Sequence, residues 1–553
     1  MSAQHTTEER IIMARPTSVR LAGVGIARLM ALLLGAVVAL MVVGMARASA
    51  TETGASNTDT ADFVAIEKYV QKEMEATRLP GAAVGIVHGD EIVSLKGFGN
   101  ADPSGRPITS RTPFTIGSST KAFTALAVMQ LVEAGEVDLD APVQRYLPWF
   151  RVADKEASSR ITVRDLLNQT SGLPTREPGG QLTRKDDSDG ALEGYARGLR
   201  AVELTAPVGE TFQYSNTNFN VLGLIVQTVS GQSYEQYVQR RIFYPLDMSN
   251  SYTSPVQARK QGRAMGHRYW FGRPLAYEMP YNRAQLPSGF IDASAQDMTH
   301  YLISQLENGR FGEAQILSPD GISTLHEPAV PTGKTVMSGQ NSASYAMGWF
   351  VGETNGVPTV SHSGDMAGFH SDMVLMPQQK LGIVFLTNGN NGLNNARIEA
   401  IAPGVVSLLA EKQPPPPHAG SSGGQSILMW ILIVLVVQLL GVARSVILLR
   451  RWRSDPASGP HGWLHVTLRI VPFFVASLLW AVLVITGLTL LSGGSLLDLL
   501  VFSPDLGYST FSSAGIALLW GLLRPVLVIL ALPGRKPPKA VGATKESMMT
   551  TTT

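Results

Sequence analysis

Cysteine is absent from the 553 residues. That absence removes disulfides, thiolate nucleophiles and cysteine-ligated zinc at once, and it leaves the redox compartment to be read from other signals. An excess of charge of either sign is missing too. Lysine and arginine number 45 against 43 acidic residues, a formal net charge of +2, which argues against a nucleic-acid partner held by electrostatics. The 10 histidines include no His-Glu-x-x-His and no pair at ligand spacing, so a metallohydrolase has weak support and no metal or other cofactor is expected. No internal repeat is evident. What is present in abundance is length: the chain exceeds one ordinary domain and can bury a large core.

Long uncharged runs lie at both ends. Residues 29–46 carry no charge and follow Arg10, Arg15, Arg20 and Arg28, with Ala48 and Ala50 in an A-x-A arrangement. Residues 1–50 therefore read as a signal peptide cut after Ala50, or as an N-terminal anchor, and Met13 is a candidate start. Near the other end, residues 413–426 form a Pro- and Gly/Ser-rich linker. Uncharged runs follow at 427–443, 470–491 and 506–532, the last interrupted only by Arg524. They predict a three-helix membrane domain over 427–535 and a tail over 536–553. The first run can extend to Leu449 if Arg444 snorkels or faces a neighbouring helix. The loop at 451–468 and the tail are basic, whereas the loop at 492–505 has acids and no base. The positive-inside rule then puts the basic segments in the cytoplasm. Three spans place the preceding domain outside the cytoplasmic membrane, which the N-terminal segment demands independently.

Between the ends, residues 51–412 read as one mixed domain. An amphipathic helix near 60–81 precedes a hairpin over "AAVGIVHGDEIVSLKGFG", with His88, Gly89 and Asp90 near its turn. Helical and loop-rich sequence runs to about Leu325. Strand-like runs then return in quick succession, "YAMGWFVG", "PTVSH", "FHSDMVLMP" and "LGIVFLTN", before a last helix near 394–411. Strands at both ends of a helical middle predict an α/β (α+β) fold: an antiparallel sheet flanked by helices, with an inserted helical subdomain.

A helix is predicted over Ser118–Ala134, with Gly135 as its stop. Ser118 and Lys121 are three apart, share a face, and can bring a hydroxyl to an amine. The competing reading is that Ser118 or Ser119 only caps the helix and Lys121 is solvated. Ser118 is, however, the only serine followed three residues later by lysine. Tyr214-Ser215-Asn216 is the only Tyr-x-Asn, and His362-Ser363-Gly364 sits at a strand-to-turn position.

These three motifs, in this order, resemble the active-site set of the serine β-lactamase and penicillin-binding-protein superfamily. The resemblance is strongest to its class C β-lactamase, DD-peptidase and esterase group. "ITVRDLLNQTSGLP", "APVGETFQYSNTNFNVLG" and "YAMGWF" match the same pattern, so that the likeness spans nearly all of 60–412. It implies that Ser118 attacks a carbonyl to form an acyl-enzyme that water then hydrolyses. It implies that Lys121, at least partly neutral, accepts a proton, and that Tyr214 shares the relay and protonates the leaving group. Asn216 would orient Lys121 and bind the substrate amide. The segment His362, Ser363, Gly364 and Asp365 would line the substrate, with the backbone N–H groups of Ser118 and Asp365 as the oxyanion hole.

Two residues depart from that pattern. Many relatives carry lysine where His362 stands, and a histidine is largely neutral near pH 7, so anchoring of a substrate carboxylate is expected to be weaker. Gln169 stands where relatives often show histidine. The layout, an exported domain followed by three spans, looks like that of bacterial membrane-bound serine hydrolases, a likeness of architecture only. The reading is a membrane-tethered, multi-pass serine hydrolase facing outward and cleaving amide or ester bonds of peptide-like small molecules. A β-lactamase or penicillin-binding protein that acts on or senses β-lactams is the alternative. The short cytoplasmic segments argue against a sensor. A transporter built on three helices with few ionisable groups is disfavoured.

Overall fold

The computed structural model describes residues 63–175, 184–333, 340–390, 395–415, 422–455, 459, 463–492 and 496–530. The expected signal or anchor at 1–50, the centre of the linker, and the tail at 536–553 lie outside the described residues.

Eight strands form the main sheet: β1 (Gly81–His88), β2 (Glu91–Gly99), β3 (Val330–Pro331), β4 (Gln340–Ala346), β5 (Trp349–Thr354), β6 (Val357–Met366), β7 (Phe369–Met376) and β8 (Leu381–Thr387). Their order is β2-β1-β8-β7-β6-β5-β4-β3, and every pairing is antiparallel. The N-terminal hairpin thus pairs with the last strand of the domain, and the helical middle is an insertion, as the sequence pattern predicts. One expected strand divides. "YAMGWFVG" is the end of β4, a turn at Met347-Gly348 with Gly348 at φ +81°, and the start of β5. A glycine there supplies the left-handed backbone that the tight turn requires.

Central strands are apolar on both faces, and their period of two divides the core. From β1 and β8, Ala82, Val84, Ile86, Ile383 and Phe385 meet Ile66 and Val70 of helix α1 (Phe63–Thr77). Ala83, Val87, Val384 and Leu386 from the same strands face the other way, toward the larger core that contains the helical middle. The second layer includes helix α2 (Thr120–Glu133), in which every residue from Thr120 to Met129 is buried. Phe123 stacks on Tyr301 at 4.0 Å and meets Phe243 edge-on at 6.0 Å. Burying one such ring contributes roughly 1.5–3 kcal/mol. Two buried threonines of this helix are hydrogen-bonded, Thr124 donating to the Pro287 carbonyl at 2.6 Å, as buried polar groups require.

Three further helices are long and apolar enough to cross a membrane: Ser426–Ser454, Trp463–Gly487 and Pro504–Leu530. The first continues past the expected limit at Leu449, through Arg444. Arg524, the one charge in the third apolar run, lies 3.4 Å over the Phe473 ring of the neighbouring helix. Trp480 donates to the Ser513 hydroxyl at 2.9 Å across the same pair. The expected loop at 492–505 contains a short helix, Leu496–Phe502.

Candidate active site

Ser118 lies in a single 3-10 turn, Gly117–Ser119, that leads into α2. The capping alternative does not describe it, because Ser119 stands at the N-cap and makes no capping bond. Ser119 is buried and bonds instead to Ser371 Oγ at 2.8 Å and the His362 carbonyl at 3.3 Å. Ser371 in turn donates to the Ile116 carbonyl at 2.6 Å. These bonds stitch the serine turn to β6 and β7.

Backbone contact does the rest. Gly117 has φ +51°, and a Cβ on it would lie 2.7 Å from the Asp365 amide nitrogen; a Cβ on Gly364 would lie 2.7 Å from that of Ser118. Both positions exclude side chains, so the amides of Ser118 and Asp365 flank one narrow seam. β5 pairs with β6 only as far as Ser361, which leaves His362 to Met366 without a β5 partner on that side.

Lys121 is fully buried. Its Nζ lies 3.0 Å from Ser118 Oγ, 2.7 Å from Asn216 Oδ1 and 2.9 Å from the Ser288 carbonyl oxygen. Two of these partners can only accept, whereas the serine hydroxyl can give or take. Protonated, the amine donates to all three oxygens; with one proton removed it still donates to Asn216 and Ser288 and turns its lone pair to the Ser118 hydroxyl. The Tyr214 hydroxyl also bonds to Ser118, and its pKa is pushed up by burial, with the Asp365 charge adding to the rise and the Ser118 bond opposing it. Its ring centre lies 4.8 Å from Lys121 Nζ. Ser118, Lys121, Tyr214 and Asn216, separated by up to 98 positions in sequence, are thereby brought together.

Gln169 holds Tyr214 from both sides. Its backbone carbonyl accepts from Gln213 N at 2.8 Å, and its Oε1 accepts from Ser215 N at 2.9 Å and from the Asn218 side chain. Gln169 is buried at φ +62°, a left-handed conformation uncommon for a residue with a side chain. It also reaches the Tyr345 hydroxyl. The departure from the family pattern at this position therefore positions a site residue.

His362 is 1 % exposed. Its Nδ1 donates to the Ser363 carbonyl at 2.6 Å, and Nε2 faces the Tyr345 hydroxyl at 3.5 Å. Burial, then the nearby Lys121 charge, push its pKa down to about 3. The ring is neutral and its one N–H is spent within the chain, so it offers a substrate carboxylate neither charge nor donor. Ser363 is half-buried and Gly364 buried.

The side chain of Asp365 is 43 % exposed, and its Oδ1 accepts from His370 Nδ1 at 2.9 Å, Asn390 Nδ2 at 2.7 Å and Asn395 Nδ2 at 2.9 Å. His370 Nε2 meets Asp372 Oδ2 at 2.9 Å. Burial alone would lower the His370 pKa, but Asp372 and Asp365 outweigh it and hold the imidazole well above its ordinary value. Sequence reasoning missed this clamp. Its signal lay in the hairpin, because the turn between β6 and β7 sets Asp365 opposite His370 and the period of two puts Asp372 on the same face. The Ser288 carbonyl had no sequence signal.

Known proteins share this arrangement of elements. The family model described as Beta-lactamase matches residues 66–405. Protein flp of Staphylococcus aureus is 30% identical over 330 residues, which cover 59% of this chain and 63% of that protein. Penicillin-binding protein 4 of Amycolatopsis lactamdurans is 28% identical over 335 residues, 58% of this chain and 84% of that protein. The structure of the octameric penicillin-binding protein homologue from Pyrococcus abyssi superposes with a TM-score of 0.56 at 27% identity, covering 64% of this chain and 79% of that one. With more than half its length matched by the family model, the chain belongs to the Beta-lactamase family, within the serine β-lactamase and penicillin-binding-protein superfamily.

Proposed function

We propose that this protein is a membrane-anchored, extracytoplasmic serine hydrolase that cleaves amide or ester bonds of peptide-like substrates through an acyl-enzyme on Ser118. The observation that carries the reading is the contact of the buried Lys121 Nζ with Ser118 Oγ at 3.0 Å, with Asn216 and Ser288 as acceptors that hold the amine whether or not it carries its extra proton. Ser118 Oγ forms a bond to the substrate carbonyl carbon while its proton passes to Lys121. The carbonyl oxygen takes up negative charge beside the amides of Ser118 and Asp365, where fixed donors stabilise it. The bond to the leaving group then breaks, and Tyr214 delivers a proton to that group, drawing on the one held by Lys121. Water repeats the sequence in reverse: it adds to the acyl carbon, and its proton returns to Ser118 Oγ as the acid departs. Asn216 holds Lys121 in place and lies next to where the substrate amide binds.

Membrane attachment rests on the three apolar helices and on the basic character of the loop at 451–468 and of the tail. Hydrolysis or sensing of β-lactams is the second reading, supported by relatives named penicillin-binding proteins. The buried, neutral His362 favours the first. Competitive labelling of Ser118 by a fluorophosphonate, against panels of D- and L-peptides, esters and β-lactams, distinguishes them. Protection only by β-lactams, without turnover of any peptide or ester, overturns the first reading.

A further inference from the structure

Strands His267–Trp270 and Arg273–Ala276 form a hairpin apart from the main sheet. Its two turn residues, Phe271 and Gly272, have φ +48° and +73°. Asparagine or glycine is usual at the first of these positions, because a Cβ there crowds the backbone. A phenylalanine in left-handed backbone is an outlier of the kind that points to a use for the side chain. Trp270 and Phe271 meet edge-on at 5.2 Å, and both stay exposed, at 37 % and 45 %.

This tip rests on the start of the third apolar helix and on the short helix Leu496–Phe502 before it. The Phe271 amide donates to Asp505 Oδ2 at 3.2 Å, Arg268 Nη1 donates to the Leu500 carbonyl at 3.3 Å, and the Trp270 ring lies 5.7 Å from that of Tyr508. Tyr508 is itself half exposed, as is Leu275 on the hairpin. Aromatic rings that water would surround, arginines beside them, and the first turn of a spanning helix together have the composition of a membrane–water boundary.

We propose that the tip Trp270–Phe271 is a lipid contact, seated in the headgroup layer of the same bilayer that Pro504–Leu530 crosses. The inference rests on the membrane reading above. It gives the tip an occupant chosen by chemistry: the apolar faces of the rings lie toward acyl chains, and Arg268 and Arg273 lie near lipid phosphates. The inner end of the same hairpin joins the catalytic region. His267 and Arg268 pair with Gly389 and Asn390, and Asn390 donates to Asp365 Oδ1. The lipid contact is thus one strand's length from the residue whose amide flanks Ser118.

Because native cysteine is absent, single-cysteine variants carrying an environment-sensitive fluorophore test this in the full chain. Phe271→Cys, Leu275→Cys, Leu519→Cys on the third apolar helix and Tyr244→Cys on the exposed surface would be reconstituted in phosphatidylcholine vesicles. A phosphatidylcholine spin-labelled near the headgroup and one labelled deep in the chain serve as quenchers. The expected result is a blue-shifted reporter at Phe271, strongly quenched by the shallow label, and none of this at Tyr244. Leu275→Cys gives the same reading if Phe271→Cys disturbs the turn. Leu519→Cys quenched by the deep label, with both hairpin reporters behaving like Tyr244→Cys, overturns the lipid contact alone. An unquenched Leu519→Cys overturns the membrane reading and the lipid contact with it.

Discussion

Gln169 Oε1 accepts the backbone N–H of Ser215 at 2.9 Å. The bond fixes the residue after Tyr214, while the Gln169 carbonyl fixes the one before it. Removing the acceptor leaves a buried N–H unpaired, at a cost of about 1–3 kcal/mol. Gln169→Gly keeps the left-handed backbone and loses the side chain. It is expected to slow acylation by a fluorophosphonate while the chain stays folded. A variant with unchanged labelling rate and unchanged melting temperature would remove Gln169 from the positioning of Tyr214.

Ser118→Ala is expected to abolish covalent labelling, and Lys121→Met to reduce it by orders of magnitude. Ser119→Ala breaks two buried bonds, to Ser371 and the His362 carbonyl, and should destabilise by about 1 kcal/mol while retaining most labelling. Labelling that survives Ser118→Ala sinks the mechanism.

β-Lactams are expected to be poor substrates beside small esters or peptides. A charged partner strengthens a hydrogen bond to a substrate carboxylate to roughly 1.5–3 kcal/mol, and His362 supplies none. With its pKa near 3, the ring stays neutral from about pH 5 to pH 8, so preference for carboxylate ligands should not change across that range through His362. The same shift has a stability consequence. The unfolded chain binds this proton near pH 6.5 and the folded chain does not. Stability from His362 is therefore complete above that value and declines as pH falls toward 3. Hydrolysis of a chromogenic cephalosporin at rates matching the best ester would contradict the substrate claim.

His370 works in the opposite sense. Its folded pKa lies above the unfolded value, so its contribution is fully present below about pH 6.5 and is lost as pH rises through the folded pKa. His370→Asn should therefore cost most stability at neutral and acid pH, with the difference from wild type shrinking toward alkaline pH. Thermal melts of both proteins over a pH series measure it. A constant difference at all pH values would mean that the imidazolium between Asp365 and Asp372 is not what stabilises the β6–β7 turn.

For topology, cysteines introduced at Ser458 and Ser495 report on the two connecting loops. A membrane-impermeant maleimide is expected to reach Ser495→Cys from outside and to miss Ser458→Cys. The reverse pattern inverts the protein and puts Ser118 in the cytoplasm.

Several features were legible in the chain because they depend on near neighbours. Three positions along a helical turn bring Ser118 and Lys121 to one face. Short strand-like runs bounded by turn residues along 81–99 and 357–387 mark strands, and apolar length marks the three candidate spans. Other features required chain segments far apart in sequence to meet. The carbonyl of Ser288 completes the partners of Lys121 from 167 positions away, and a backbone carbonyl leaves no mark on composition. Gln169 looked like a departure of little weight until the fold set its amide against Ser215. Sequence alone reads His362 as largely neutral near pH 7; burial carries that neutrality into acid, and the Ser363 carbonyl takes up its one N–H. Spacing sets which groups can meet locally. Desolvation, and the partners that replace water, decide what those groups do.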